Sequence, residues 1–293
     1  MSAVGWRGSS VAVVSAAMLA VTAGLGLARF GYALLIPDMR TALGVGYAEM
    51  GALASANFVG YVAAALVGGM LGTRFGVRRV LFAGLVIVTA ATAGTGLATS
   101  IPVAAAYQVF AGIGGAVCAV SGIGLAASYV EPRWRGLATG VATGGNGLGL
   151  GLSGLVLPAV LATGPDGWRW GWALLGSLCA LCGAYVAFVV RQEARSQHGG
   201  VASGGQRHRV FGSPLVWWLC AVYLLWGLGY QIFGTFFASL AIADGGWDQW
   251  TAGRLWALTG FASIGSCPLW GLVSDRLGRP PVLALLLTVQ GVA

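Results

Sequence analysis

The chain has 293 residues, 57% of them hydrophobic and only 8% charged, with a mean hydropathy of +0.82. A soluble globular chain carries roughly 25% charged residues, so this one cannot cover a water-facing surface. Its net charge of +8 comes from 16 basic residues, all Arg, and because these sit in short loops the charge reads as a membrane-orientation signal rather than a nucleic-acid footprint.

Apolar runs of about 18 residues or more read as membrane helices. The pattern predicts helices over residues 11–36, 48–71, 80–98, 101–129, 136–161, 169–190, 214–242 and 250–273, with a ninth run opening at Pro281. The fold class is therefore all-α and polytopic. The opening stretch VAVVSAAMLAVTAGLGLA has the look of a signal-peptide core, but the apolar run continues past Arg29 to Ile36, so it reads as a retained first helix. The ninth run would span only about 20 Å of a hydrocarbon core roughly 30 Å thick, which reads as a helix cut short. The stretch RQEARSQHGGVASGGQRHR is Gly-, Ser- and Arg-rich, as a flexible linker is. It divides the chain into a six-helix bundle (1–190), a cytoplasmic loop (191–213) and an incomplete second bundle (214–293).

One set of loops carries Arg7, Arg74, Arg78, Arg79, Arg133, Arg135, Arg191, Arg195, Arg207, Arg209, Arg276 and Arg279. The other carries only Arg40, Arg169 and Arg254. This asymmetry predicts a cytoplasmic N-terminus. Cys118, Cys179, Cys182, Cys220 and Cys267 all lie in apolar runs and read as small packing residues, and His198 and His208 share one polar loop. No catalytic or metal site and no cofactor is expected. Trp168, Trp170, Trp172, Trp217, Trp218, Trp247 and Trp250 lie near helix ends, where an interfacial belt would place them.

Two charged, glycine-punctuated turns stand 202 residues apart, GMLGTRFGVR from Gly69 and GLVSDRLGRP from Gly271. Gly69, Arg74, Gly76, Val80 and Leu81 match Gly271, Arg276, Gly278, Val282 and Leu283. A second match joins GLGLARFG (Gly24 to Gly31) to GLGYQIFG (Gly227 to Gly234) at an offset of 203, which pairs Arg29 with Ile232. Six helices separate the copies, so they share one orientation, as in the parallel repeats of secondary transporters.

G-x-x-x-D-R-x-G-R between paired helices resembles the cytoplasmic signature of the major facilitator superfamily. Gly271, Asp275, Arg276, Gly278 and Arg279 fit it, while the first copy has Thr73 where Asp is usual and carries Arg78 after Val77. YQVFAGIGGA, GWRWGWALLG and the Arg-rich central loop are similar to the same family. GLARFGYALLIPDM, ANFVGY and GSCPLWGLVSDRLGR resemble its bacterial YbfB-type branch. The resemblance implies a twelve-helix, six-plus-six bundle. It also implies a conformational latch at Gly69, Thr73, Arg74, Gly76, Arg78, Gly271, Asp275, Arg276, Gly278 and Arg279. The alternative is that both turns are only topology signals.

Candidate solute-path residues are those that are polar or aromatic at depth. Arg29 interrupts the first helix, and a charge there usually faces a bundle interior or a water-filled cavity. A lone cation favours an anionic group such as a carboxylate; the plainer alternative is an Arg that snorkels or bonds neighbouring carbonyls. Tyr32 follows on the same helix. Asn57 and Tyr61 stand one turn apart on the next, where interhelical bonding is the competing explanation. Gln108 occupies a position where the resemblance implies Arg. Asn146 is the one strongly polar residue in the stripe GVATGGNGLGLGLSGLVLP, whose small-x-x-x-small spacings read as packing. Tyr230, Gln231 and Trp256 complete the set. These residues and the resemblance together point to a secondary transporter of a small organic solute in the lipid bilayer, read as a monomer. A coupling proton, drug or metabolite efflux, and a non-transporting sensor on the same fold stay open.

Overall fold

The computed structural model describes residues 8–196 and 214–292. Every predicted run is a helix. The first is a single rod in three parts: α1 (Gly8–Val21), a π-helical segment (Thr22–Phe30) and α2 (Tyr32–Leu43). It outruns the predicted end at Ile36 because Pro37 sits inside α2 without stopping it, and the rod closes at Gly44. There follow α3 (Tyr47–Phe75), α4 (Val77–Thr95), α5 (Ile101–Ser128), α6 (Arg135–Leu161), α7 (Gly167–Ser196), α8 (Pro214–Ala243), α9 (Gln249–Leu277) and α10 (Arg279–Val292). No strand occurs among the described residues. Helix α7 runs past residue 190, and residues 197–213 of the predicted loop lie outside the described residues.

The long helices have 27 to 30 residues, hence roughly 40–45 Å each, more than a hydrocarbon core needs. Five rods among the described residues are long and apolar enough to cross a membrane: Ser10–Leu43, Val77–Thr95, Ile101–Ser128, Arg135–Leu161 and Gly167–Arg191.

The backbone repeats itself. Gly44 and Gly246 both have φ of 65°, and Gly76 and Gly278 have φ of 87° and 88°, a region open to glycine and strained for other residues. Helices α3 and α9 each have 29 residues and begin and end at equivalent positions. All of these pairs stand 202 residues apart. In this register the counterpart of Arg29 is Gln231, one residue short of the Ile232 that the local sequence match selects.

Among the described residues the most extensive contacts between α1–α7 and α8–α10 are α6 with α9 and α2 with α8. The α6–α9 seam is built of glycine. A Cβ on Gly154 would lie 2.5 Å from the carbonyl oxygen of Gly253, and one on Gly260 would overlap the backbone of Gly151 and Gly147. Glycine here lets two backbones touch, the packing that small-residue spacing favours. The seam runs from Gly144 against Ile264 to Pro158 against Gly253. Beside it, Gln249 donates to the Asp38 carboxylate, and Tyr47 meets Phe236 edge to face at 6.2 Å. All these contacts lie toward the end that holds the turns at Gly44 and Gly246. Among the described residues the contacts between the two groups gather at this closed end and thin out toward the other, the parting end that holds Gly76 and Gly278. At the closed end, Asp248 caps α9, and hydrogen bonds from the Thr251 hydroxyl and backbone hold its carboxyl below the ordinary value.

Trp170, Trp217, Trp218, Trp247 and Trp250 are exposed on the outer faces. Trp168 and Trp172 differ from the expected belt. They are 1% and 0% exposed in the core, and Trp172 stacks on Tyr32 with centroids 6.0 Å apart. Their place near a helix end is right, but the face they occupy turns inward.

Candidate functional site

The first rod brings Arg29 to the boundary between the two groups of helices, at the end of the π segment. Such segments recur at functional sites because they break the regular stacking of side chains. Gly26 and Gly149 let this segment press against α6, where a Cβ on Gly26 would sit 2.6 Å from the Gly149 Cα. The Arg29 guanidinium then reaches α8, where Nη2 donates to Gln231 Oε1 at 2.7 Å. Gln231 Nε2 in turn donates to Thr235 Oγ1 at 3.0 Å.

The guanidinium lies over the face of Phe58, 3.7 Å from the ring centroid, with Tyr61 at 5.3 Å and Phe30 at 5.5 Å. A desolvated cation–π contact of this kind contributes about 2 kcal/mol. It stabilises the charge where no carboxylate among the described residues pairs with Arg29. Arg29 Nε is buried without a hydrogen-bond partner, so the fork that suits a planar anion is only partly used.

A second polar cluster lies next to it. Gly60 and Gly112 bring α3 and α5 into backbone contact, with Gly112 against the Asn57 carbonyl. Asn57 Nδ2 then donates to Gln108 Oε1 at 3.0 Å and to its backbone oxygen at 3.2 Å, and Gln108 Nε2 donates to Thr95 Oγ1 at 3.4 Å. Asn57 and Gln108 are 4% and 2% exposed. Tyr32 donates its hydroxyl to the Met50 carbonyl at 2.8 Å, which engages it between helices.

Arg29, Tyr32, Asn57, Gln108 and Gln231 line one pocket with Phe30, Ala33, Ala54, Phe58, Gly234 and Thr235, and the space left inside is about 10 Å³. That is room for about one water molecule. Tyr61 joins through Arg29, and Tyr230 packs edge to face on Phe30 at 6.0 Å. Asn146 and Trp256 are not brought in. Asn146 Oδ1 is buried without a partner on α6, and Trp256 stacks on Phe237 at 5.7 Å with its Nε1 unpartnered. Phe58 is absent from the sequence-level candidates; its signal was its place between Asn57 and Tyr61, on the face that Tyr61 shares at i, i+3.

At the parting end, Arg78 Nη2 donates to the Tyr129 hydroxyl at 2.7 Å, and Arg74 lies 5.3 Å from the Phe75 ring centroid. Gly76 and Gly278 make equivalent turns. Gly69, Thr73, Gly271, Asp275, Arg276 and Arg279 fall on helices, but their side chains and burial lie outside the described residues.

A rod bundle of this topology, repeated at a 202-residue register and joined around a half-buried cation, defines a polytopic helical membrane protein. Residues 18–293 match the family model described as Major Facilitator Superfamily, and the chain belongs to that superfamily. It is 25% identical, over 260 residues and 89% of its length, to two uncharacterized MFS-type transporters of Mycobacterium tuberculosis. It spans 58% of the length of those relatives. The fold matches a bacterial homologue of the human lysosomal transporter Spinster in an inward-facing, unoccupied conformation, with a TM-score of 0.74 and 19% identity over 94% of this chain and 64% of that one. It also matches a D-xylose-proton symporter, with a TM-score of 0.70 and 16% identity over 93% of this chain and 70% of that one.

Proposed function

We propose that the protein is a secondary transporter that moves a small organic solute across a bacterial inner membrane by alternating access, and that the solute carries a carboxylate. The observation behind this reading is Arg29: a half-buried guanidinium at the meeting of the two groups of helices, without a carboxylate partner among the described residues. A charge at such depth costs several kcal/mol, and a solute that supplies the counter-charge offsets that cost. In this reading α1–α7 form the first six-helix bundle, residues 191–213 the cytoplasmic loop, and α8–α10 the start of the second bundle. The parting end then faces the cytoplasm, consistent with the arginine-rich loops and with the inward-facing relative. The glycine turns at Gly76 and Gly278 act as the latch between states. The protein works as a monomer, and a proton is the candidate coupling ion.

The rings of Phe30, Phe58 and Tyr230 favour a second reading, efflux of a ring-bearing solute with Arg29 held as structure. One experiment decides. The full-length protein and its Arg29→Gln variant are reconstituted in liposomes, and uptake of carboxylates and neutral amphiphiles is followed with and without a pH gradient. The carboxylate reading expects carboxylate uptake by the parent, reduced roughly thirtyfold or more in the folded variant. Equal transport by both makes Arg29 structural. Transport of nothing by either favours a sensor.

A further inference from the structure

The contact between Arg29 and Gln231 has a property that the pocket alone does not convey. The two residues stand 202 apart, the register of the glycine turns and of α3 against α9. Their hydrogen bond joins the first rod to α8, so one side chain from each group of helices meets the other.

The chemistry of the pair is unequal. Arg29 brings five N–H donors and a fixed charge, and Gln231 brings one neutral amide oxygen. That oxygen lies 2.7 Å from Nη2, within the range of a charge-assisted bond, while Nε of the same guanidinium is buried and unpaired. A carboxylate would serve the fork better, because its two oxygens can meet both N–H groups and carry the opposite charge. The residues lining the pocket supply no other charged group; its walls combine Phe30, Ala33, Ala54, Phe58 and Gly234 with the polar groups of Tyr32, Asn57, Gln108 and Thr235. One cation among rings and neutral polar groups suits a monoanion. The free space of about 10 Å³ holds no such solute while Gln231 occupies the fork.

We propose that Gln231 is an internal stand-in for the solute's carboxylate. In the empty protein its Oε1 tethers Arg29 to α8, and a monocarboxylate solute displaces it, loosening α8 against the first rod. No bond is made or broken covalently; one hydrogen-bond acceptor replaces another. Gln231 thereby sets both affinity, by competing for the fork, and the link between solute binding and movement of the two groups. This rests on the carboxylate reading above.

The test pairs transport with a distance. In the full-length protein, parent, Gln231→Ala and Gln231→Glu are compared for uptake of acetate, lactate and benzoate, with benzamide as the neutral counterpart of benzoate. Spin labels at Phe75→Cys and Leu277→Cys, both exposed and at the parting end, report the separation of the two groups in a background with the native cysteines replaced. Removing the competitor is expected to lower the half-saturating concentration of the transported monocarboxylate by about tenfold. It is also expected to broaden the label distance distribution without solute. Gln231→Glu, a tethered anion, is expected to lose monocarboxylate uptake and hold the empty-state distance at every solute concentration.

A raised or unchanged half-saturating concentration in Gln231→Ala overturns the proposal, as does parental uptake by Gln231→Glu. If the parent moves none of the acids while Gln231→Ala still shifts the label distances, the carboxylate reading fails and the tether stands. If the acids are moved and neither variant differs from the parent in uptake or distance, the tether fails and the transport reading stands.

Discussion

Two of the places where the two groups of helices meet are built from opposite materials. Along α6 and α9 the contact is glycine on glycine, with backbones in touch. At Arg29 and Gln231 the contact is one hydrogen bond between long side chains, flanked by aromatic faces and a nearly filled pocket. A close-packed backbone seam loses its dispersion contacts when the surfaces separate by even a fraction of an ångström, so it holds position. A hydrogen bond between flexible side chains exchanges partners at little cost when a better acceptor arrives. The difference teaches where the interface is fixed and where a ligand can act on it.

In the seam an added side chain acts directly on the contact between the two groups of helices. Gly260→Val is expected to destabilise the protein by at least about 3 kcal/mol, because the new side chain meets the backbone of Gly151 and Gly147 and neither can retreat. Thermal unfolding in detergent measures this, with Gly265→Ala as the counterpart. That position faces open space on the same helix, and substitution there is expected to be neutral or slightly stabilising. Equal losses at both positions would mean that the seam is not special.

A smaller effect is expected at the polar cluster beside Arg29. Asn57→Ala leaves the Gln108 side-chain oxygen buried and unpaired, at a cost of about 2 kcal/mol. The loss should appear as a lower unfolding temperature while the Arg29–Gln231 pair stays intact. A variant of parental stability would show that water replaces the amide and that the cluster is open to solvent.

Much of this was legible before any coordinates. Helix positions follow from apolar length, and Arg29 stood out because a charge in an apolar run contrasts with everything around it. The repeat was legible in its turns, where Gly76 and Gly278 adopt a backbone that other residues resist. The local match pairs Arg29 with Ile232, and the turns and the ends of α3 and α9 run in a register one residue shorter. Phe58 was invisible for the reverse of Arg29's reason, since one more ring in an apolar helix carries no contrast until its face is known. Trp168 and Trp172 were misplaced for the same cause. Asn146 and Trp256 were chosen on residue type, and type does not say which neighbour a helix turns toward.

The central claim is that position 29 lies on a path that water and solute reach through movement of the two groups of helices. The most direct measurement is modification of an Arg29→Cys variant, with the native cysteines replaced, by a membrane-impermeant thiol reagent added to either side of sealed vesicles. The account predicts reaction from the side on which the groups part, the end holding Gly76 and Gly278, and protection from the opposite side in the empty protein. Absence of reaction from both sides, in a variant shown to be folded, would place residue 29 in permanent packing and contradict it.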